Sequence, residues 1–235
     1  MTTIDIRPAA ERFVTELDWL DSKHSFSFGH HRDPGNVGHG LLVVNNDDVV
    51  RAGTGFGTHP HRDMEIVTWV LSGQLEHRDS AGNHGIIYPG LAQRMSAGTG
   101  ITHSEHNASQ DEDVHFLQMW VLPDRTGIEP GYEQVDVNDE LAKGGLIPIA
   151  SGKGHDNAVT VHQRDAVLWG GRLGPGERVD VPEQRHVHLF VAVGSGTLDP
   201  GGDLTAGDAA RLTDAAGLTF TAGTDGAEVL IWETP

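Results

Sequence analysis

The chain has 235 residues with 34 acidic against 16 basic side chains, a formal charge of −18, so the clustered Lys and Arg that phosphate backbones require are missing and direct nucleic-acid binding is disfavoured. It has no cysteine, which excludes disulfides, iron–sulfur clusters and thiolate zinc sites and leaves imidazole and carboxylate to hold any metal. With 31 glycines, 11 prolines and 6% aromatic residues, many short strands and little helix are expected; no apolar run approaches membrane-spanning length, and the N-terminus lacks the apolar core of a signal peptide, so a cytoplasmic protein is expected.

Taken in order, Pro8–Phe13 allows one short helical turn, with proline at its start. Lys23–Phe28 alternates as a half-buried strand does. His30-His31-Arg-Asp-Pro-Gly35 reads as a turn, Leu41–Asn45 as a strand, and Asn46-Asp-Asp48 as another turn by its Asn/Asp run.

His59-Pro-His61 follows a glycine-rich approach from Gly53. In extended chain His59 and His61 share a face about 6.6–6.8 Å apart, a separation that one ion bridges. The same parity, carried forward, brings Asp63, Glu65, Val67 and Trp69 to that face. Ile66–Leu71 then runs to a turn at Ser72-Gly73, Gln74–Arg78 to a turn at Asp79–Asn83, and Ile86–Tyr88 to Pro89-Gly90. Ala92–Ser96 leads through Ala97–Gly100 to Ile101-Thr-His103-Ser-Glu105, where His103 and Glu105 again share a face. Parity leaves five candidate ligands open: His59, His61, Glu65, His103 and Glu105.

Fifteen histidines make chance pairs common. His30, His31, His39, His77, His84 and His155 lie in or beside predicted turns and are expected to be solvated. His106 has the parity opposite to His103 and should point away. His115, in the apolar run Val114–Val121, reads as a hydrogen-bonded core histidine.

Beyond Pro123 a turn-rich linker is expected, with a brief helix in Val137–Gly144 capped by Asn138 and stopped by glycine. Short strands follow at Val159–His162, Ala166–Trp169, Arg178–Val181, His186–Val193, Gly196–Leu198, Ala209–Leu212, Leu218–Thr221 and Val229–Trp232. That is a second barrel. His186 and His188 are an i, i+2 pair within it, but no later His-x-Glu completes a site.

The spacing Gly53-x5-His59-x-His61-x3-Glu65, then Gly100-x2-His103-x3-Asn107, resembles the paired signature of the cupin superfamily. Gly55–Ile66, Leu75–Asn83 and Ala97–Glu105 resemble the pirin family more closely, especially its short bacterial branch with quercetin 2,3-dioxygenase activity. Trp19–Phe28 and Gln118–Pro123 carry the likeness further, over most of residues 17–134.

The resemblance implies an all-β bicupin fold, two tandem double-stranded β-helix (jelly-roll) barrels: a metal-binding barrel over 1–134, then a linker and a degenerate, metal-free barrel over 135–235. It implies one divalent metal on His59, His61, His103 and Glu105, with Glu65 left structural. Iron(II) is the first choice, and copper, nickel, cobalt, manganese and zinc stay open because the same ligands accept them. Three neutral imidazoles and one carboxylate leave a net charge near +1 and, on octahedral iron, two open positions for a phenolic substrate and O2. Glu105 would then also exchange a proton with the substrate. The implied activity is metal-dependent ring opening of quercetin or a related flavonol. The alternative, carried by the same family, is a metal- or redox-sensing protein acting through protein partners.

Overall fold

The structure, a computed structural model, describes all 235 residues. It is an all-β bicupin: beyond its strands it has only a three-residue 3-10 turn, Ala9–Glu11, and a four-residue helix, Asn138–Leu141. The expected cap is corrected, because Val137 occupies the cap position without a side-chain bond and Asn138 is the first helical residue. The Asn138 amide instead binds the Pro89 carbonyl and accepts from Arg172.

The first barrel is built from a seven-stranded and a four-stranded sheet. The larger runs, edge to edge, through Gly131–Asp136, Leu91–Ser96, Glu65–Ser72, Val114–Val121, Leu42–Val50, Leu20–His24 and Phe13–Leu17. The smaller runs through Gly55–His61, Ile101–Asn107, Leu75–Asp79 and His84–Ile87. Two differences from the sequence reading matter here. Asn46-Asp-Asp48 is no turn but the middle of Leu42–Val50, where Asn46 pairs with His24 and Asp48 with Ser22. The stretch read as linker holds Gly131–Asp136, which pairs with Leu91–Ser96.

The C-terminal sheet has nine strands centred on Gln184–Asp199 and Thr219–Thr234. Sequence divides each of these in two at its glycines. In the structure Gly194 adopts φ +76° and the ladder shifts register around it, so the strand bends and continues. Thr3–Arg7, which no sequence pattern singled out, pairs with Ala209–Ala215, and Ile4 and Ile6 pack on the C-terminal core.

One hydrophobic cluster spans both halves, setting Trp69, Leu117 and Met119 against Leu168, Phe190 and Trp232. Polar ties cross the same boundary. Trp69 Nε1 donates to Glu228 at 2.7 Å, and Arg94 Nε donates to the Thr160 carbonyl at 2.6 Å. Glu65 is buried and accepts from Ser96 Oγ at 2.8 Å and from the His162 backbone N–H at 3.0 Å. Asp63, at φ +48°, turns the chain between His61 and Glu65, so parity does not carry across and Glu65 enters the larger sheet. Glu65→Ala leaves the buried Ser96 hydroxyl and the His162 N–H without their acceptor and is expected to cost about 2–4 kcal/mol in urea denaturation; an unchanged midpoint would contradict this role.

Candidate metal centre

Gly55–His61 and Ile101–Asn107 lie side by side and antiparallel, with His59 directly opposite His103. Between His103 and Glu105 the partner moves from His59 to Phe56, so Gly55–His61 carries one extra residue. Such a bulge re-aims side chains while keeping the strands paired. Gly55 lets the backbones close here, since a Cβ at that position would collide with the Glu105 carbonyl oxygen and His106 Cα.

Ligating atoms of His59, His61 and His103 lie within 4.8 Å of one another, and so do those of His77, His103 and Glu105. His103, Glu105 and His77 are buried, while His59 and His61 are half-buried. Of the five candidate ligands, the strands bring His59, His61, His103 and Glu105 into these two linked groups. Glu65 belongs to neither.

His77 departs from expectation. It is fully buried on Leu75–Asp79, where its Nε2 meets Asp79 Oδ2 at 3.3 Å and its Nδ1 meets His103 Nδ1 at 3.4 Å. Asp79 is itself held by Ala81 N, Asn83 N and the Asn83 amide. The inward parity of residue 77 on its strand was the signal available, and the adjoining turn masked it.

These partners fix the tautomers. Asp79 accepts a hydrogen bond from His77 Nε2–H, leaving His77 Nδ1 to accept from His103 Nδ1–H, so His103 Nε2 keeps its lone pair. His59 Nδ1 donates to the Gly57 carbonyl at 2.8 Å, and so His59 Nε2 keeps its lone pair too. The two Nε2 atoms stand 3.0 Å apart. That is the separation of two nitrogens each about 2.1 Å from one ion at roughly a right angle.

Two further atoms lack partners. His61 Nε2 and Glu105 Oε1 are buried without a hydrogen bond, an arrangement that costs free energy unless something fills it. The other Glu105 oxygen accepts from Gln118 Nε2 at 2.7 Å, and Gln118 accepts from Trp120 Nε1 at 3.1 Å. Trp120 also stands edge-on to His61, with ring centres 4.8 Å apart. Burial, with the neighbouring imidazoles His103 and His59, drops His61 to about 4, and burial with His59 and His77 drops His103 to about 3. Both are thus unprotonated at neutral pH. Facing lone pairs, an orphaned imidazole nitrogen and an orphaned carboxylate oxygen together fit a divalent cation.

A cavity of about 280 Å³ opens onto His59, His61 and Glu105 between the two sheets. Leu20, Phe28, Phe56 and Trp120 give it apolar walls, and Thr15, Ser22, His24, Asn46 and Asp48 form a polar wall. A larger open depression of about 680 Å³ beside Lys143, Arg172 and Glu177 lies away from these residues. Asp48 is buried, and its carboxylate accepts from Ser22 Oγ. Burial pushes it up to about 7, helped by Asp47, Glu105 and Asp21 and opposed by the Ser22 bond.

The remaining histidines sort by contact. His84, His106 and His155 are exposed, His106 on the side of its strand away from His103 as expected. His39 is instead half-buried against the Leu212 carbonyl. His115 is half-buried and meets Asp47 Oδ1 at 2.6 Å. His188 is buried between Phe26 and Phe190, while His186 Nδ1 meets the Pro235 oxygen at 2.7 Å.

Residues 7–121 match the Pirin family, and residues 148–234 match the quercetinase C-terminal cupin domain. A quercetin 2,3-dioxygenase of Escherichia coli K12 is 41% identical over 234 residues, covering 99% of each chain. A Mycobacterium tuberculosis protein provisionally named quercetin 2,3-dioxygenase is 60% identical over 232 residues, 98% of this chain and 95% of that one. Among solved structures, Escherichia coli YhhW superposes with a TM-score of 0.92 at 40% identity, covering 99% of this chain and 98% of that one. The same bacterial pirin in complex with nickel(II) gives 0.91 at 40% identity, covering 99% of each chain.

Two outcomes are expected. His77→Phe removes the acceptor behind His103 and should weaken metal binding about 10–100-fold, read by chelator competition; unchanged affinity would remove His77 from the site. For Asp48, the folded value lies above the ordinary 3.8, so folding takes up a proton between about pH 4 and 7, and the destabilisation grows through that window to its full size above it. In metal-free protein, Asp48→Asn should therefore raise the melting temperature at pH 8 and do so progressively less toward pH 4.5. A loss of stability, or a gain independent of pH, would contradict the assignment.

Proposed function

Since the chain belongs to the pirin family of cupin proteins, we propose that it is a metal-dependent dioxygenase that opens the ring of quercetin or a related flavonol with O2. The observation that carries this reading is the pair of facing atoms His59 Nε2 and His103 Nε2, with the unpartnered His61 Nε2 and Glu105 Oε1 in the two groups that His103 links, beside an aromatic-walled cavity. Relatives covering nearly the whole chain are named for that reaction.

His59, His61, His103 and Glu105 would hold one divalent ion. Iron(II) is proposed; the Escherichia coli pirin has been solved in complex with nickel(II), and imidazole and carboxylate ligands accept other divalent ions as well. Bound there, such an ion supplies Lewis acidity toward an ionising phenolic hydroxyl and redox chemistry toward O2.

The chain's own residues do the rest. Phe28, Phe56 and Trp120 offer apolar surface to the faces of an aromatic substrate and exclude water from the reacting end. Gln118 pins Glu105 Oε2, which fixes the plane of the carboxylate and presents Oε1 toward the cavity. Glu105 Oε1 then takes the proton of the hydroxyl on the ring that is opened and returns it to the product. His59 and His103 stay fixed in their tautomers by Gly57 and by His77 with Asp79.

Oxygen uptake tests the proposal. Iron-loaded protein is expected to consume O2 with a flavonol, and His103→Ala is expected to lower kcat/KM at least about 100-fold with loss of the ion. No uptake with any flavonol or catechol by metal-replete protein would sink the dioxygenase reading and favour the sensing role.

A further inference from the structure

Facing the ligating cluster across the cavity is a polar wall that the proposed reaction does not use. Leu20–His24, Leu42–Val50 and Val114–Val121 are neighbouring strands. Ser22 pairs with Asp48 and His24 with Asn46, while Asp48 and Asn46 pair in turn with Phe116 and Gln118. With a period of two, these side chains share one face, the inside of the barrel. Such a face is ordinarily apolar, as Leu20, Val50 and Phe116 are on this one.

The contrast between Asp47 and Asp48 is informative. Asp47 faces the other way and is matched by Arg12 at 2.7 Å and His115 at 2.6 Å. Asp48, one residue on, is buried in the cavity wall, and the Ser22 hydroxyl on Oδ1 is the one hydrogen bond its side chain receives. A carboxylate placed inside a barrel without a cation costs stability, so it is a group whose partner comes from outside the chain.

The geometry points to Asp48, set by Ser22, as a specificity-determining residue that accepts a hydrogen bond from a phenolic hydroxyl on the part of the substrate remote from the ring that opens. This rests on the flavonol reading of the cavity. Phe28, Phe56 and Trp120 suit the faces of an aromatic skeleton, while Asp48 Oδ2 supplies an acceptor on the wall formed by the larger sheet. Polyhydroxylated aromatics are selected over unsubstituted analogues.

The test uses metal-loaded protein and the isosteric variant Asp48→Asn, with quercetin compared against 3-hydroxyflavone, which keeps the reacting ring but lacks the remote hydroxyls. The preference for quercetin, as a ratio of kcat/KM values, is expected to fall at least about tenfold, with the loss appearing in KM. Affinity of zinc-loaded protein, followed by quenching of tryptophan fluorescence, should show the same narrowing without turnover. Equal weakening of both ligands, no change in their ratio, or no binding of either by the parent protein would each overturn the assignment. Binding without oxygen uptake that still shows the narrowed ratio would keep Asp48 as a recognition residue while removing the dioxygenase reading.

Discussion

The first barrel depends on where its imidazole protons sit. His103 can present Nε2 to the cavity only because Nδ1 carries the proton, and Nδ1 carries it because His77, itself committed to Asp79, can only accept. His59 reaches the same state by a shorter route, through the carbonyl of Gly57 two residues back. Two lone pairs are thus held 3.0 Å apart, and burial keeps His103 and His61 from protonating to relieve the strain at neutral pH. The cheapest relief is a cation from solution. The bulge beside Glu105 and the closeness of Gly55 keep this arrangement in place.

What the sequence could and could not reveal follows from how each residue announces itself. His59-x-His61 and His103-x-Glu105 were legible because strand parity puts each pair on one face and nothing in between breaks it. Glu65 was open on parity alone, because a left-handed Asp63 is invisible in an alternation count; the turn there sends Glu65 into another sheet, toward Ser96 and His162. His77 was lost beside a turn. The largest misreading was Asn46-Asp-Asp48, whose composition is that of a turn because Asn and Asp usually serve turns. In this barrel they are a strand with one face turned to a cavity, and polar residues in such a strand imitate a loop.

Asp47 and Asp48 show how the fold divides stability from function within two residues. The outward carboxylate is neutralised by Arg12 and His115 and helps bind Phe13–Leu17 and its flanks to the sheet. The inward one is left with a hydroxyl and is held near neutrality by burial. A chain under pressure for stability alone would place an apolar side chain at 48, as it does at Val50 and Phe116 on the same face.

Val114–Val121 connects the second barrel to the candidate metal centre. Leu117, Met119 and Val121 point into the cluster shared with the C-terminal half, where Met119 Sδ receives the Trp232 indole N–H at 3.3 Å. Phe116, Gln118 and Trp120 alternate with them and face the interior of the first barrel, Gln118 holding Glu105 and Trp120 standing edge-on to His61. One strand therefore reads the position of the second barrel on one face and sets the carboxylate and an imidazole on the other. Its neighbour Glu65–Ser72 is tied across the same boundary through Glu65 and Trp69. Because side chains on opposite faces of a strand share one backbone, the packing of the C-terminal half fixes the orientation of groups in a site it never touches.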